Sequence, residues 1–185
     1  MSAMQGTAAG EDEYQVDRFL CSQTIMLGLE GIPAFYIHSL LAGENDYKKF
    51  AATQQNRSIN RGQWQLNQID SILNDYTSNS SKVFYELRRL IKMRSMQAAF
   101  HPNATQYTLH LGQYMFGFWR QSINRDQSIF AIHNVTNSGQ ELSLSEINLI
   151  CTDTWIDLIA WDTIDISAGM LTLKPYQCLW ITNKA

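Results

Sequence analysis

The sequence has no excess of positive charge: its 185 residues include 14 Lys and Arg against 17 Asp and Glu, a net charge of −3. Proteins that bind nucleic acid neutralise phosphates with a surplus of basic side chains, so this composition argues against a nucleic-acid partner. The chain also lacks any apolar run of about 20 residues, the length that crosses a membrane. We therefore expect neither a nucleic acid nor a membrane as a partner.

Cysteine is scarce. The three cysteines (Cys21, Cys151 and Cys178) lie far apart and form no CxxC pair. This spacing excludes a disulfide framework and a zinc ribbon, and we expect no metal and no cofactor. Residues 1–13 lack a basic segment followed by an apolar core, so they do not resemble a signal peptide. Together these absences predict a cytoplasmic protein with reduced thiols.

The first hundred residues carry mainly helical periodicity. Apolar spacing predicts helices over Tyr14–Leu29, Gln65–Asn74 and Lys82–Met96. A glycine turn separates the first helix from the nearly continuous apolar run Ile32–His38, which we interpret as a strand buried on both faces. A helix, a tight turn and a buried strand form one step of a repeating βα fold. Four basic residues of the last helix, Arg88, Arg89, Lys92 and Arg94, are interpreted as a solvated face.

A long polar segment, residues 39–64, follows the predicted strand. It contains Gly43-Glu44-Asn45-Asp46 and Asn56-Arg57-Ser58-Ile59-Asn60-Arg61, with one short helical stretch around Tyr47–Thr53. In α/β folds ligands bind at the carboxyl ends of strands, and long loops at that edge are usually functional. We therefore expect the substrate contacts of this chain in this segment.

After His101-Pro102-Asn103 the pattern changes to short β-branched and aromatic runs separated by turn-forming residues. The turns are placed at Gly112, at residues 124–126, at residues 136–139 and at Ala168-Gly169. We predict an antiparallel β-sandwich whose strands are Gln106–Leu111, Gln113–Trp119, Ser128–Asn134, Trp155–Ala160 and Gln177–Thr182.

Two segments carry a resemblance to a known family. They are residues 18–27 (RFLCSQTIML), followed by residues 31–40 (GIPAFYIHSL), and the later GEND and NRSINR motifs of the polar loop. This series resembles the sucrose phosphorylase-like branch of glycoside hydrolase family 13, the α-amylase family. The likeness extends over roughly residues 11–135, and the helix before His101-Pro102-Asn103 is part of it.

The resemblance implies a fold class of α/β plus all-β. Residues 1–100 would form the C-terminal end of a (β/α)8 TIM barrel, with helix 7, strand 8, the substrate loop and helix 8. Residues 101–185 would form a C-terminal antiparallel β-sandwich domain. Because a (β/α)8 barrel needs roughly 250 residues, most of the enzyme would lie outside this chain.

The resemblance also implies a retaining transfer of glucosyl from an α-glucoside to inorganic phosphate. In this family an Asp nucleophile, a Glu acid/base and a second Asp carry the reaction. No His-Asp strand motif occurs here, so we expect no catalytic residue in the chain and no activity of the chain alone. A homodimer is left open.

Six residues are the candidate substrate- and phosphate-binding positions. Arg57 and Arg61 have the forked geometry that suits phosphate and sugar hydroxyls, although a structural clamp on nearby carbonyls is an alternative. Asn60 and Asp46 are candidates for sugar hydroxyls. Two further candidates line the expected barrel mouth, Tyr36 and His38; for His38 the alternative is a hydrogen-bonded histidine at a strand end.

The loop departs from the family pattern at Ser58, where sucrose phosphorylases tend to carry Asp. Without that carboxylate the site beside Arg57 is more electropositive, so we expect a charged acceptor.

Two other functions are left open. The first is a free-standing carbohydrate- or partner-binding β-sandwich module, for which Trp119, Trp155 and Trp180 would be a sugar-stacking platform or core residues. The second is a product without function.

Overall fold

The computed structural model describes residues 1–147, 149 and 153–184, so Cys151 lies outside the described residues. The chain divides into two compact units. Unit 1 comprises Met1–Leu20 and Ala34–Arg89, and unit 2 comprises Cys21–Pro33 and Leu90–Ala185. The expected domain boundary between residues 100 and 101 stays a prediction. No described helix is both long enough and apolar enough to span a bilayer.

The predicted helices are present. The helices of the described residues are α1 (Gln15–Gly28), α2 (Ile37–Leu40), α3 (Tyr47–Thr53), α4 (Leu66–Asn74) and α5 (Asn79–Ser95). The short stretch predicted at Tyr47–Thr53 is confirmed at both of its ends. Single turns of 3₁₀-helix occur at Ser2–Met4, Asn56–Ser58, Ala98–Phe100, Leu144–Glu146 and Ile166–Ala168.

The strand predicted over Ile32–His38 is wrong for this structure. Residues 32–36 belong to no strand, and α2 begins at Ile37. A strand exists only where a neighbouring backbone offers hydrogen bonds, and no described strand pairs with this segment. Burial was also overestimated, because Ile32 is 84% exposed.

Polar side chains set the beginnings of three helices. The Asp46 carboxylate accepts a hydrogen bond from the backbone N–H of Lys49 at 2.8 Å and caps α3. Gln65 and Gln68 form a reciprocal capping box at the start of α4. The Ser78 hydroxyl accepts from the N–H of Ser81 at 3.0 Å at the start of α5. These contacts satisfy N–H groups that have no partner within the helix.

The described strands form three antiparallel sheets. In unit 1 a two-residue hairpin pairs β1 (Gly6–Thr7) with β2 (Gly10–Glu11). Unit 2 contains a six-stranded sheet in the order β3-β4-β5-β10-β7-β8 and a separate pair β6-β9. The bounds are β3 (Thr105–Leu109), β4 (Met115–Gln121), β5 (Ser128–Asn134), β6 (Gln140–Ser143), β7 (Ile156–Asp157), β8 (Asp162–Thr163), β9 (Met170–Leu173) and β10 (Cys178–Thr182).

The antiparallel prediction for unit 2 is confirmed, with two differences. The strand predicted over Trp155–Ala160 contains only Ile156–Asp157, because the Asp157 carboxylate accepts from the N–H groups of Ile159 and Ala160 at 3.1 Å and turns the chain. Strands β6, β8 and β9 were not predicted. Two predicted turns are confirmed by left-handed glycines, Gly112 with φ +81° and Gly169 with φ +71°.

The sheet of unit 2 is covered on both faces. On one face alternate residues such as Phe130, Ile132 and Ile181 pack with Leu142 and Leu173 of the β6-β9 pair. This is the sandwich core, and it explains why every residue of β5 after Ser128 is buried. Burial of such a face supplies most of the stabilisation of a domain, at about 25 cal/mol per Å² of apolar surface.

The second face of the sheet lies against the C-terminal half of α1. Gly28 approaches the sheet so closely that a Cβ there would lie 2.8 Å from Cζ of Phe118 and 3.7 Å from Cβ of Ala131. The Cys21 thiol donates to the Asn134 carbonyl at 3.6 Å. A glycine at this position of the helix is therefore required by packing against the sheet.

Two arginines hold the C-terminal end of α1. Arg94 donates from Nε to the Leu27 carbonyl at 2.6 Å and from Nη2 to the Gly31 carbonyl at 3.1 Å. Arg120, fully buried, donates to the Gly28 carbonyl at 2.9 Å, and burial lowers the pKa of its guanidinium. Placing Arg94 on a solvated face was therefore wrong, since cations satisfy the unpaired carbonyls of a helix end.

Unit 1 has a smaller core. The buried residues of its core cluster are Phe19, Ala42, Val83 and Leu87. Partly buried side chains surround them, namely Met1, Met4, Val16, Leu20, Phe35 and Leu40. A core of this size stabilises a unit weakly, because little apolar area is removed from water.

We predict that Arg120→Met lowers the free energy of unfolding of unit 2 by about 3 kcal/mol or more, because it leaves buried carbonyls without donors. Those carbonyls are the Gly28 oxygen and the oxygens of His101 and Ala104, at 2.9 and 3.3 Å from Arg120. The measurement is chemical denaturation of the 185-residue chain followed by tryptophan fluorescence. Arg125→Met, the same change at an exposed position, is the control and is expected to leave stability unchanged. Equal free energies of unfolding for Arg120→Met and the wild type would contradict a stabilising role of these hydrogen bonds.

The buried imidazole of His133 leads us to predict that the stability of unit 2 depends on pH. Burial lowers its pKa from 6.5 to about 4, while its Nδ1 remains hydrogen-bonded to the Phe116 carbonyl at 2.9 Å. Between these two values the unfolded chain binds a proton and the folded chain does not, so stability falls as the pH drops through this window, by about 3 kcal/mol in total.

Denaturation of His133→Gln checks this effect, because the variant is expected to lose that part of the acid destabilisation. His110→Gln, at an exposed position, is expected to retain it. The difference between the two variants isolates His133 from other buried groups such as Asp157, whose pKa burial raises. Identical pH profiles of the two variants would exclude the assignment.

Candidate substrate-binding loop

The six candidate residues all lie in unit 1 and line two grooves. The arginine groove is lined by Tyr36, Asn56, Arg57, Asn60 and Arg61. The histidine groove contains His38 and Asp46 together with eight further residues, Glu44, Asn45, Tyr47, Lys48, Gly62, Gln63, Trp64 and Gln68. The ring centroids of Tyr36 and His38 lie 5.1 Å apart, so the two grooves meet at this aromatic pair.

The arginine groove is open and has a volume of about 490 Å³. Both arginines are exposed, and neither guanidinium forms a hydrogen bond or ion pair with any residue of the described part of the chain. Asn60 accepts a hydrogen bond from the Tyr36 hydroxyl at 3.2 Å, but through its backbone carbonyl, so its amide is also available. The clamp alternative therefore has no supporting contact, and two cationic forks face the groove.

Hydrogen bonds to backbone carbonyls, rather than the two guanidinium groups, hold the loop together. The N–H of Asp46 donates to the Ile59 carbonyl at 2.7 Å, and Lys49 Nζ donates to the Arg61 carbonyl at 2.6 Å. These bonds connect the beginning of the loop with its end. They fix the backbone that carries the arginines while leaving the guanidinium groups unengaged, which is the arrangement that a preorganised anion site requires.

Ser58 lies inside the loop instead of lining the arginine groove. Its buried hydroxyl donates to the Gln55 carbonyl at 2.5 Å and lies 2.6 Å from the Thr53 hydroxyl. These two contacts stabilise the turn between the end of α3 and Arg57. Because serine is neutral, it places no negative charge beside Arg57. The expectation of a charged acceptor stays a prediction.

Asp46 has a structural role that the sequence analysis did not assign. One carboxylate oxygen caps α3 by accepting from the N–H of Lys49. The carboxylate also lies at the histidine groove, where the other oxygen is 4.0 Å from the position of a Cβ on Gly62. The cap engages one oxygen, and a sugar hydroxyl at the second oxygen stays a prediction.

His38 lies in helix α2 and not at the end of a strand. Its Nδ1 accepts a hydrogen bond from Nε1–H of Trp64 at 3.2 Å, and the two ring centroids are 6.2 Å apart. The alternative of a hydrogen-bonded histidine therefore agrees with the structure as far as Nδ1 is concerned. Because His38 also lines the groove, a structural contact and a ligand contact are compatible in one ring.

The eight further residues of the histidine groove were not predicted from the sequence, among them Glu44, Lys48, Trp64 and Gln68. Glu44 is part of the GEND motif quoted for the resemblance, and Trp64 follows the second arginine by three residues. An aromatic residue at the end of a polar loop is a signal that could have been used, since aromatic rings often form one wall of a small-molecule site. Gln68 gave no such signal, because it lies in a helix.

The tryptophans proposed as a sugar-stacking platform pack inside unit 2. Trp155 and Trp180 are buried, and Trp119 stacks between Tyr107 and Phe130 with centroid distances of 4.8 and 5.7 Å. Core packing is therefore their role. Within residues 1–147, 149 and 153–184, no three His, Cys, Asp or Glu side chains are grouped so as to hold a metal ion.

Three curated relatives match this chain: two of them over most of its length and the third over nearly half of it. A glucosylglycerate phosphorylase of Allomeiothermus silvanus is 32% identical over 93% of this chain and 28% of its own length. A glucosylglycerate phosphorylase of Escherichia coli is 29% identical over 92% of this chain and 29% of its own length. A sucrose 6(F)-phosphate phosphorylase of Thermoanaerobacterium thermosaccharolyticum is 33% identical over 46% of this chain and 16% of its own. The chain thus spans less than a third of these relatives, which confirm the resemblance stated from its sequence motifs.

Solved structures show the same fold at lower identity. An Anoxybacillus α-amylase matches with a TM-score of 0.70 and 15% identity, over 92% of this chain and 33% of its own. The trehalose-6-phosphate hydrolase of Bacillus licheniformis matches with a TM-score of 0.66 and 19% identity, over 93% of this chain and 40% of its own. No family model matches the chain.

We predict that Asp46→Ala loosens the start of α3, whereas Asp46→Asn preserves it, because asparagine also caps helices. The loss of a cap costs about 1 kcal/mol, so the Lys49 amide is expected to exchange with solvent about fivefold faster in the alanine variant. Hydrogen exchange read out by mass spectrometry on a peptide covering α3 measures this change. Equal protection in both variants would contradict the cap.

Proposed function

We propose that this chain, a relative of the sucrose phosphorylase-like branch of glycoside hydrolase family 13, is the C-terminal part of an α-glucosyl phosphorylase. The observation that carries this proposal is the match to a glucosylglycerate phosphorylase over 93% of the chain. The complete enzyme would transfer a glucosyl group from an α-glucoside to inorganic phosphate with retention of configuration. The chain alone is inactive, since its expected role is substrate binding and not catalysis.

The finer fold proposal is that residues 1–100 are the last βα elements of a (β/α)8 barrel. The solved structures with this fold are longer, and the chain covers 33–40% of the two α-amylase-type enzymes above. Large apolar side chains of the first hundred residues are exposed, among them Ile32 at 84% and Leu66 at 75%. Further exposed examples are Tyr36 and Ile37. Contiguous elements of a barrel would cover such side chains, because exposed apolar surface of this kind marks an interface.

The arginine groove is the proposed anion site. Arg57 and Arg61 present guanidinium groups without partners among the described residues, on a backbone fixed by the loop contacts. A guanidinium binds phosphate or carboxylate oxygens through two parallel N–H donors, and such charge-assisted bonds are about twice as strong as neutral ones. The substrate groups that suit this groove are therefore inorganic phosphate and an anionic acceptor.

An anionic acceptor is the proposed specificity. The named substrates of the relatives, glucosylglycerate and sucrose 6(F)-phosphate, both carry an acid group on the part of the molecule that is not the glucosyl unit. In this chain the loop has Ser58 beside Arg57, so no carboxylate at that position offsets the positive charge of the arginines. A charged acceptor would gain Coulomb attraction that neutral fructose lacks.

The partners of the complete enzyme are thus an α-glucoside and inorganic phosphate, with no nucleic acid and no membrane. A cytoplasmic location and a homodimer stay predictions. The candidate contacts are Arg57 and Arg61 for the anion, Asn60 and Asp46 for sugar hydroxyls, and Tyr36 and His38 where the grooves meet. Neither a metal nor a cofactor is part of the proposal.

The test is phosphorolysis by the complete protein, expressed with the coding sequence upstream of Met1. We expect release of α-glucose 1-phosphate from glucosylglycerate or sucrose 6-phosphate in preference to sucrose. Arg57→Gln and Arg61→Gln are expected to lower kcat/KM about 10- to 100-fold, the range for a lost hydrogen bond to a charged group.

Arg88→Gln on the exposed face of α5 is the matched control and is expected to leave kcat/KM unchanged. A preference for sucrose would overturn the anionic acceptor. An upstream sequence without the Asp, Glu and His-Asp motifs of the family would overturn the phosphorylase itself.

A further inference from the structure

The imidazole of His38 is held on several sides. Trp64 donates its indole N–H to Nδ1 at 3.2 Å, and the Tyr36 ring lies 5.1 Å away by centroid. A Cβ on Gly43 would lie 2.9 Å from Nδ1, and one on Gly62 would lie 3.6 Å from Cε1. The ring thus occupies a space that a Cβ on Gly43 would reduce, while a Cβ on Gly62 would only make an ordinary van der Waals contact with it.

The contact with Trp64 also determines where the proton of His38 resides. An indole nitrogen is a donor only, so Nδ1 must be the acceptor and must carry no proton. The neutral ring then carries its proton on Nε2. This nitrogen has no hydrogen-bond partner within the described chain, while His38 lines the histidine groove.

We propose that Trp64 is a positioning residue that fixes His38 as an Nε2–H donor for an oxygen atom of the substrate. This inference rests on the proposed function, because it names how one residue of the same site meets the ligand. An oxygen of the sugar, of the acid acceptor or of phosphate has the required lone pair, whereas a substrate N–H or ammonium group would find no acceptor in His38. Trp64 acts through His38 and is not itself a catalytic residue.

The groove contains charges that agree with an oxygen-rich ligand. Lys48 offers a cation, and Glu44 and Asp46 offer carboxylates that accept from hydroxyl groups. Together with the fixed N–H of His38, the groove presents both donors and acceptors. A polyhydroxylated ligand needs both kinds of partner, since each hydroxyl donates and accepts.

The first experiment is nitrogen NMR of the histidine side chains in the 185-residue chain at mildly alkaline pH, with His38→Gln used to assign the His38 signals. We expect one tautomer in the wild type, protonated at Nε2, and a mixture of the two neutral tautomers in Trp64→Phe. Trp161→Phe, the same change at an exposed tryptophan, is expected to leave the wild-type pattern. A wild-type ring protonated at Nδ1, or an unchanged tautomer in Trp64→Phe, overturns the proposal.

The second experiment measures phosphorolysis of glucosylglycerate by the complete protein. Trp64→Phe is expected to lower kcat/KM about 2- to 10-fold, the range of one lost neutral hydrogen bond, and Trp161→Phe is expected to leave it unchanged. Separate KM values for glucosylglycerate and for phosphate tell which ligand His38 meets. An unchanged kcat/KM in Trp64→Phe overturns the positioning role. The NMR experiment does not depend on catalytic turnover. If the complete protein showed no phosphorolysis, the proposed function would be refuted, while the NMR result would still decide whether Trp64 fixes the tautomer of His38.

Discussion

The end of helix α1 is the constraint on which unit 2 depends. The last carbonyls of a helix have no partner within it, and here two guanidinium groups supply the donors: Arg94 reaches the carbonyls of Leu27 and Gly31, and Arg120 reaches that of Gly28. Arg120 is fully buried, so it is stable there only while its carbonyl partners are in place. These contacts hold the end of α1, where Gly28 lies within van der Waals distance of the sheet.

The loop of unit 1 follows the opposite principle. There two bonds to backbone carbonyls fix the chain, from the N–H of Asp46 to Ile59 and from Nζ of Lys49 to Arg61, and the guanidinium groups of Arg57 and Arg61 stay unengaged. A buried arginine whose two terminal nitrogens donate to backbone carbonyls holds a structure together, whereas an exposed arginine on a fixed backbone is available to a ligand. The difference between Arg120 and Arg57 lies in burial and partners, and both are properties of the folded chain.

Local signals in the sequence predicted a large part of the fold. Helix α3 and strand β5 have the predicted bounds, because a capping aspartate and a run of buried β-branched and aromatic residues act over a few neighbouring positions. The strand prediction for residues 32–38 was wrong, since a strand depends on pairing partners elsewhere in the chain and an apolar run does not reveal whether they are present. Strands β6, β8 and β9 were missed because each has four residues or fewer, too few to show an alternating pattern.

By itself the sequence determined the family resemblance, the antiparallel second half and the loop that carries the candidate residues, since motifs and periodicity are encoded in neighbouring positions. Only the tertiary structure decided the roles of individual polar side chains. It placed Arg94 on a helix end, buried Ser58, used Asp46 as a cap and brought Trp64 to His38 across 26 positions of the chain. The physical reason is that a hydrogen bond depends on distance and direction in space, and the spacing of residues along the chain does not specify either.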